Sequence, residues 1–336
     1  MKKLSLAQVE AARRRIEGTA IATPLVPSPF LTNLAGEDFL LKLEMTQPIG
    51  AFKLRGAANA IFSLPGDING VTCCSTGNHG RGVAYAARER GIRAVICMSS
   101  LVPEAKVEGI RALGAEVRIV GRSQDEALVE SRRLVEEEGL VEVSPFDDPM
   151  VIAGQGTIGL ELMEQRPDLA TILVPISGGG LAGGIALAVK QLEPRVRVIG
   201  ISMDRGAAMY ESLRAGHPVE VEEVASLADS LGGGIGLDNR LTFALCQEYL
   251  DDLVLVTEKE IYRAMQTLYY EDRIVCEGAC VVGIAALQAG KLPPLEGPTA
   301  AIITGRNLDM KIHADIMQGR DVVLGDFVLK GSPYAA

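Results

Sequence analysis

Tryptophan is absent, aromatic residues of all kinds make up only 4% of the 336 residues, and charged residues only 23%. With 48% apolar residues, the chain is neither disordered nor fibrous, and its composition is that of an Ala/Gly/Val/Leu/Ile-rich α/β enzyme of one or two domains. A basic surplus is also missing. The formal charge of −10 repels phosphate backbones and anionic lipid, which excludes nucleic acid and membrane surfaces as expected partners. No apolar run is long enough to span a bilayer. The start, Met1-Lys2-Lys3, turns polar and Arg-rich without a hydrophobic signal core. The six cysteines have no matching His or Cys pairs at zinc spacing, so they are expected to be reduced thiols in a cytoplasmic protein, with no metal. Internal repeats and low-complexity segments are lacking as well.

What is present is an alternation. Short apolar runs predict strands over 39–43, 71–74, 94–98, 117–120, 171–176, 196–201 and 300–303. Between them, amphipathic stretches predict helices over 54–62, 80–89, 103–113, 123–138, 149–164, 258–270 and 279–288, with another from the Gly loop to 191. Ser5 and Gln8 make a capping box for a first helix ending near Gly18. The repeating βαβ unit predicts an α/β fold of two open, mainly parallel twisted sheets flanked by helices. In such sheets ligands sit beyond the carboxyl ends of the strands, and four places there stand out.

The first is Pro48-Ile49-Gly50-Ala51-Phe52-Lys53-Leu54-Arg55-Gly56-Ala57, where an isolated lysine opens a helix among apolar neighbours. Helix dipole and burial both lower its pKa, as a Schiff-base lysine requires, since only the neutral amine attacks a carbonyl. A snorkelling surface lysine is the plainer alternative. The second is Ser75-Thr76-Gly77-Asn78-His79-Gly80, a strand-to-helix turn suited to a carboxylate or phosphate, or merely an N-cap. The third is Ser177-Gly178-Gly179-Gly180-Leu181-Ala182-Gly183-Gly184, best read as a phosphate cradle at a helix N-terminus. Taken alone, Gly178-x-Gly180-x-x-Gly183 with Asp204 about twenty residues on also fits a dinucleotide fingerprint and an NAD-dependent oxidoreductase. The fourth is Thr304-Gly305-Arg306-Asn307, whose hydroxyl suits a heteroaromatic nitrogen.

Together these segments resemble fold-type II pyridoxal-phosphate enzymes (tryptophan-synthase-β-like), specifically the threonine/serine dehydratase and serine racemase family. Further matching segments are Pro145-Phe146-Asp147-Asp148, Ala153-Gly154-Gln155-Gly156-Thr157, Asp229-Ser230-Leu231-Gly232-Gly233-Gly234 and Glu277-Gly278-Ala279, so the likeness runs from about residue 5 to residue 325. Ser202-Met203-Asp204-Arg205-Gly206-Ala207-Ala208 and the fourth segment look most like the hydroxyectoine-utilisation dehydratase branch.

The resemblance implies pyridoxal 5'-phosphate as cofactor, carried on Lys53, which also moves the α-proton. It implies Phe52 beside the cofactor ring and Asn78 at its phenolic oxygen. Ser177, Gly178, Gly179, Gly180 and Leu181 would hold the phosphate, Thr304 the ring nitrogen, and Glu277 the ring edge or substrate. Ser75, Thr76, Gly77, Asn78 and His79 would hold the substrate carboxylate. The implied reaction is α,β-elimination of a β-hydroxy-α-amino acid to a 2-oxo acid and ammonia. A hydroxyl at the ring nitrogen, in place of a carboxylate, does not hold a proton there, which favours prompt loss of the β-group.

The expected architecture is a large domain from 1–50 and 148–336, a small one from 51–147, no C-terminal regulatory domain, and a homodimer. Racemases of the family use a second serine as opposite-face base. Thr76 stands there, which disfavours racemisation and leaves Thr76 as a proton relay. Positions matching the family's divalent-cation ligands are Ser202, Gly206 and Ala208, which lack carboxylates, so no metal is expected. Arg81 and Arg306 replace residues that are commonly neutral, and either one of them recognises a second acidic group, as in 3-hydroxyaspartate, or both form structural salt bridges.

Overall fold

The computed structural model describes residues 4–334 apart from 76, 101 and 103. The larger sheet has six strands in the spatial order Leu25–Pro27, Phe39–Lys42, Thr299–Ile302, Thr171–Pro175, Arg197–Met203, Asp252–Val256. Its first pair is antiparallel and every other pair parallel. The smaller sheet is parallel throughout, in the order Glu116–Ile119, Ala94–Met98, Val71–Cys74, Val141–Glu142. The two parallel sheets anticipated from the alternation are therefore present.

Their central strands are apolar because both faces are covered. In the larger sheet Leu41, Leu173, Ile199 and Ala301 face one layer, packed on Ile261 and Ile284. Their neighbours Leu40, Ile172, Val198 and Ala300 face the other, packed on Ile185 and Val189 of helix Gly180–Leu192. The period-2 geometry of a strand thus feeds two cores at once. In the smaller sheet Ile96 packs on Leu54, Ile61 and Val83 of helices Lys53–Ser63 and Asn78–Arg90, while Val95 and Cys97 face Leu134 of helix Gln124–Glu138.

Two features fix the helix that begins at Lys53. It crosses helix Pro149–Gln165 at contact distance: a Cβ on Gly56 would stand 2.4 Å from Gln155 Nε2 and 2.9 Å from the Val151 carbonyl oxygen. It also carries Arg55, only 2% exposed, into a buried ionic cluster. Arg55 donates to Glu44 at 2.7 and 2.8 Å and to Glu161 at 2.6 and 2.9 Å, and Lys42 Nζ donates to Glu161 at 2.6 Å. The two cations and two anions neutralise one another, which is the condition for burying them.

No described helix is long and apolar enough to cross a membrane. Among the described residues no group of three or more His, Cys, Asp or Glu is placed to hold a metal ion.

Candidate active site

Residues 50–53 are joined to the end of strand Thr299–Ile302. Phe52 N–H donates to the Thr304 carbonyl at 2.9 Å, Arg306 N–H donates to the Gly50 carbonyl at 2.9 Å, and Ala51 bridges Gly305. Lys53 is thereby brought beside the Thr304 segment, more than two hundred and fifty positions away in the chain. Its Nζ donates to the Pro145 carbonyl at 2.8 Å and lies 5.5 Å from the centre of the Phe52 ring. Among the described residues no carboxylate pairs with it. Burial alone pulls its pKa down to about 8. At pH 7 roughly a tenth of such an amine is neutral, against well under a thousandth for an ordinary lysine.

Phe146, next in sequence to Pro145, touches the glycine loop. A Cβ on Gly178 would stand 2.4 Å from the Phe146 ring, and the ring's own backbone comes within 3.1 Å of where one on Gly180 would be. Gly179 has φ +83°, and a Cβ there would meet Met209 Cε at 2.7 Å and Cys246 Sγ at 3.0 Å. The protein's own packing and turn thus demand glycine at these positions, alongside any need for close approach by a ligand. Ser177 precedes this turn, and Leu181 sits in the first turn of helix Gly180–Leu192. That helix has neither a side-chain cap nor an acidic residue at its start. Its first N–H groups and the positive end of its dipole are left for an anion.

The asparagine loop follows strand Val71–Cys74. Ser75 Oγ accepts from Gly77 N–H at 3.4 Å, and Gly77 opens helix Asn78–Arg90, again without a side-chain cap. Thr76 lies outside the described residues. His79 turns its ring away from the loop, with Nε2 2.8 Å from the Val143 carbonyl. A carbonyl can only accept, so Nε2 carries the proton and Nδ1 is an acceptor, buried without a partner among the described residues. Burial, reinforced by the charge of Lys53, pushes the His79 pKa down to about 3. The ring is neutral in any ordinary buffer.

Asn78 is held by two residues from the far end of the chain. Its Nδ2 donates to both Glu277 oxygens, at 3.0 and 3.1 Å, and its Oδ1 accepts from Asn307 Nδ2 at 2.7 Å. Asn307 N–H donates to Glu277 at 2.8 Å, and its Nδ2 also reaches the Ile49 carbonyl at 2.9 Å. Glu277 is 5% exposed, and burial raises its pKa against the pull of these two amides. Thr304, 6% exposed, has its Oγ1 3.2 Å from Cys280 Sγ. Sequence reasoning gave no role to Asn307, Phe146 or Cys280. For Asn307 the usable signal was a short polar residue just beyond a strand end.

Arg81 lays its guanidinium over Gly109, with Nη2 2.6 Å from where a Cβ would stand, and Arg306 is exposed. Neither forms an ion pair among the described residues. A cleft of about 1040 Å³ lies elsewhere, between the first helix and helix Pro149–Gln165, and none of the candidate residues lines it. Arg55 and Glu161, which do, have their charges already paired.

These residues fit pyridoxal phosphate. A desolvated amine without a carboxylate partner suits a covalent carbonyl ligand, and an uncapped helix N-terminus across Pro145–Phe146 suits its phosphate. Comparison with known proteins agrees. The sequence pattern of the family described as pyridoxal-phosphate dependent enzyme matches residues 16–305. A Sinorhizobium fredii protein provisionally named a threonine dehydratase is 55% identical over 95% of this chain and 97% of its own length. The L-threonine ammonia-lyase of Thermotoga maritima is 39% identical over 97% of this chain and 82% of its own. The structure of maize serine racemase superposes with a TM-score of 0.87 at 32% identity, covering 91% of this chain and 94% of that one.

Proposed function

This chain belongs to the family of pyridoxal-phosphate dependent enzymes, and on that premise we propose that it is an ammonia-lyase, a dehydratase that turns a β-hydroxy-α-amino acid into a 2-oxo acid and ammonia. The observation that carries the reading is the pairing of Lys53 with the glycine loop. Pro145 accepts the lysine's hydrogen bond while Phe146, next in sequence, packs on Gly178.

When bound, the cofactor supplies a conjugated ring that draws electron density from the substrate's α-carbon. The protein's residues do the rest. Lys53, neutral for a useful fraction of the time, carries the cofactor and afterwards takes the proton from Cα at Nζ. The uncapped start of helix Asn78–Arg90 and the hydroxyl of Ser75 receive the substrate carboxylate, with Thr76, Gly77 and His79 contributing to the same turn. His79 contributes through its backbone, since its ring is occupied with Val143. Glu277 and Asn307 lock the Asn78 amide in one orientation, so that one N–H remains to meet the cofactor's phenolic oxygen. Phe52 would flank the ring, Thr304 would meet its nitrogen, and residues 177–181 would hold the phosphate. The β-hydroxyl then leaves as water, protonated by the Lys53 Nζ that took the proton from Cα, and hydrolysis of the released enamine gives the 2-oxo acid and ammonia.

Borohydride reduction of the coloured holoenzyme should fix the cofactor's mass on the peptide containing Lys53, and Lys53→Ala should abolish release of 2-oxo acid. A colourless reconstituted protein, or an active alanine variant, refutes the assignment. An NAD-dependent oxidoreductase would use Gly178, Gly180 and Gly183 but has no task for Lys53 or Asn78. Racemisation is the second reading, favoured by the likeness to maize serine racemase. It needs a proton relay on the opposite face, which falls to Thr76, and chiral analysis of recovered serine measures it directly.

The same proposal includes a hydroxyectoine-catabolic role, a cytoplasmic homodimer and a small domain over 51–147 inserted in the large one. All four strands of the smaller sheet fall within 71–142, which supports that division. Sedimentation at micromolar concentration tests the dimer.

A further inference from the structure

Lys53 and His79 stand side by side. Gly82, one turn along helix Asn78–Arg90 from His79, packs on the start of the neighbouring helix, where a Cβ would lie 3.2 Å from the Lys53 carbonyl oxygen. Residues three apart on a helix share a face, so His79 looks the same way. Both side chains then meet one stretch of chain. His79 Nε2 donates to the Val143 carbonyl and Lys53 Nζ to the Pro145 carbonyl, each at 2.8 Å. The residue before a proline favours extended backbone, in which alternate carbonyls point to the same side, about 7 Å apart.

The hydrogen-bonding needs of the two groups are complementary. A lysine ammonium has three protons, and Pro145 takes one of them. Among the described residues nothing takes the other two. Val143 engages only Nε2 of the imidazole, and Nδ1, on a side chain 4% exposed, is an acceptor without a donor among the described residues. Burying such an atom unpaired is costly, and the lysine's flexible stem lets Nζ turn from the carbonyl toward the ring. Burial, with the charge of Lys53, holds the ring neutral at a pKa of about 3, and Lys53 is the one charged group acting on it among the described residues. The ring can therefore accept a hydrogen bond from the ammonium without taking the proton for itself.

We propose that His79 is a positioning residue for Lys53, its Nδ1 receiving the lysine ammonium whenever Nζ turns from the Pro145 carbonyl toward the substrate. The structure shows the lysine at the first of these two stations. The proposal rests on the proposed function, since it takes Lys53 to collect the proton from Cα and pass it to the leaving hydroxyl. Between those two acts the proton has to stay on Nζ, and a neutral acceptor beside it keeps it there where a stronger base would remove it. The bond to Val143 serves the same end by fixing the tautomer that leaves Nδ1 bare.

The test is nitrogen-15 NMR of the holoenzyme with labelled histidine. The chain has only three histidines, and substitution of His217 and His313 assigns the third. 2-Methylserine, which has no α-proton, takes the lysine's place on the cofactor without being turned over. In the wild type its addition should move Nδ1 of His79 upfield, as a nitrogen lone pair does on gaining a hydrogen bond. In Lys53→Ala with the same ligand the signal should stay where a bare imidazole nitrogen resonates. Equal signals in the two proteins overturn the proposal, and so does a proton on Nδ1 in either. His79→Gln supplies a second reading, since it keeps a donor for Val143 but has no acceptor at the place of Nδ1. It should melt with the wild type and lose about tenfold in kcat with KM little changed, the effect of one missing hydrogen bond to a charged group. Losing the acceptor destabilises the ammonium and lowers the lysine's pKa, so the acid limb of the kcat profile should move to lower pH. An unmoved limb makes His79 merely structural and overturns the proposal, and if this variant does not fold the two spectra still decide. Borohydride reduction before the ligand is added separates the two ideas. Cofactor fixed on Lys53 with an unmoved Nδ1 defeats only the role of His79, whereas a Lys53 that takes no label defeats the proposed function and this inference together.

Discussion

The carbonyl oxygen of Arg55 occupies the place a side chain on Gly154 would need: a Cβ there would stand 2.5 Å from it. The obstacle is backbone, on the very helix that begins with Lys53, so it cannot swing aside. Gly154→Ala should lower unfolding free energy by about 1–3 kcal/mol, the usual range for overpacking, and weaken cofactor binding by displacing Lys53. Gly66→Ala is the control, since nothing lies within 4 Å of its added Cβ. Urea midpoints of the two variants give the comparison, and equal midpoints would contradict the packing argument.

Removing Arg55 leaves Glu44 and Glu161 facing each other with only Lys42 between two buried negative charges. Arg55→Met should therefore destabilise the protein by about 3–5 kcal/mol, in line with other buried pairs broken on one side. Chemical denaturation at pH 7 measures this, and a loss below about 1 kcal/mol would place the cluster with weak surface pairs.

Lys53 strains the fold that holds it. Its folded pKa of about 8 lies below the ordinary 10.5, so between these values the unfolded chain binds more protons at this residue. Stability then rises with pH across that window, and below about pH 8 the cost of burying the ammonium is felt in full. Cofactor-free Lys53→Met should be more stable than wild type at pH 7, by something on the order of 2 kcal/mol once partial exposure is allowed for. The advantage should shrink toward zero as pH approaches 10.5, the ordinary lysine value. Thermal melts of both cofactor-free proteins at several pH values test the sign, and an advantage that grows with pH would refute it.

Arg306 follows the Thr304 segment, is exposed, and has no ionic partner among the described residues. If it reads a second carboxylate, Arg306→Ala should cut kcat/KM for 3-hydroxyaspartate about tenfold or more, since a charge-assisted bond is worth upwards of about 1.4 kcal/mol. Turnover of L-threonine should stay within about twofold, below half a kcal/mol. Equal losses on both substrates would assign the arginine a structural role.

Strands with both faces buried were easy to locate, because 171–176, 196–201 and 300–303 are plain apolar runs. They differ from the observed Thr171–Pro175, Arg197–Met203 and Thr299–Ile302 by one or two residues at the ends. Short or edge elements were not legible. Helices Pro29–Ala35, Ala208–Ala215, Thr242–Tyr249 and Met310–Met317 span barely two turns, too little for a period to emerge. Strand Asp252–Val256 lies at a sheet edge, and hairpin Val322–Leu324/Phe327–Leu329 pairs only with itself. The anticipated helix over 279–288 is broken by a 3-10 turn at Gly278–Cys280 before Val282–Gln288. Lys53 and the glycine loop announced themselves through residue type and position after strands. Asn307, Phe146 and Cys280 act through partners remote in the chain, and no local pattern marks such contacts. The cluster of Lys42, Glu44, Arg55 and Glu161 was hidden for the same reason.

Thr299–Ile302 lies between Phe39–Lys42 and Thr171–Pro175, so the larger sheet stays split until the last tenth or so of the chain has been made. The smaller sheet draws all its strands from one continuous stretch and can close while synthesis is still under way. Emerging from the ribosome, the nascent polypeptide would display a finished inner module flanked by two unpaired β-edges, the state in which chaperone capture or misassociation is most to be expected. Arrival of the late strand ends that vulnerable interval, and by carrying Thr304 to Lys53 it also brings the candidate site together, so the completed sheet and the site form in one event.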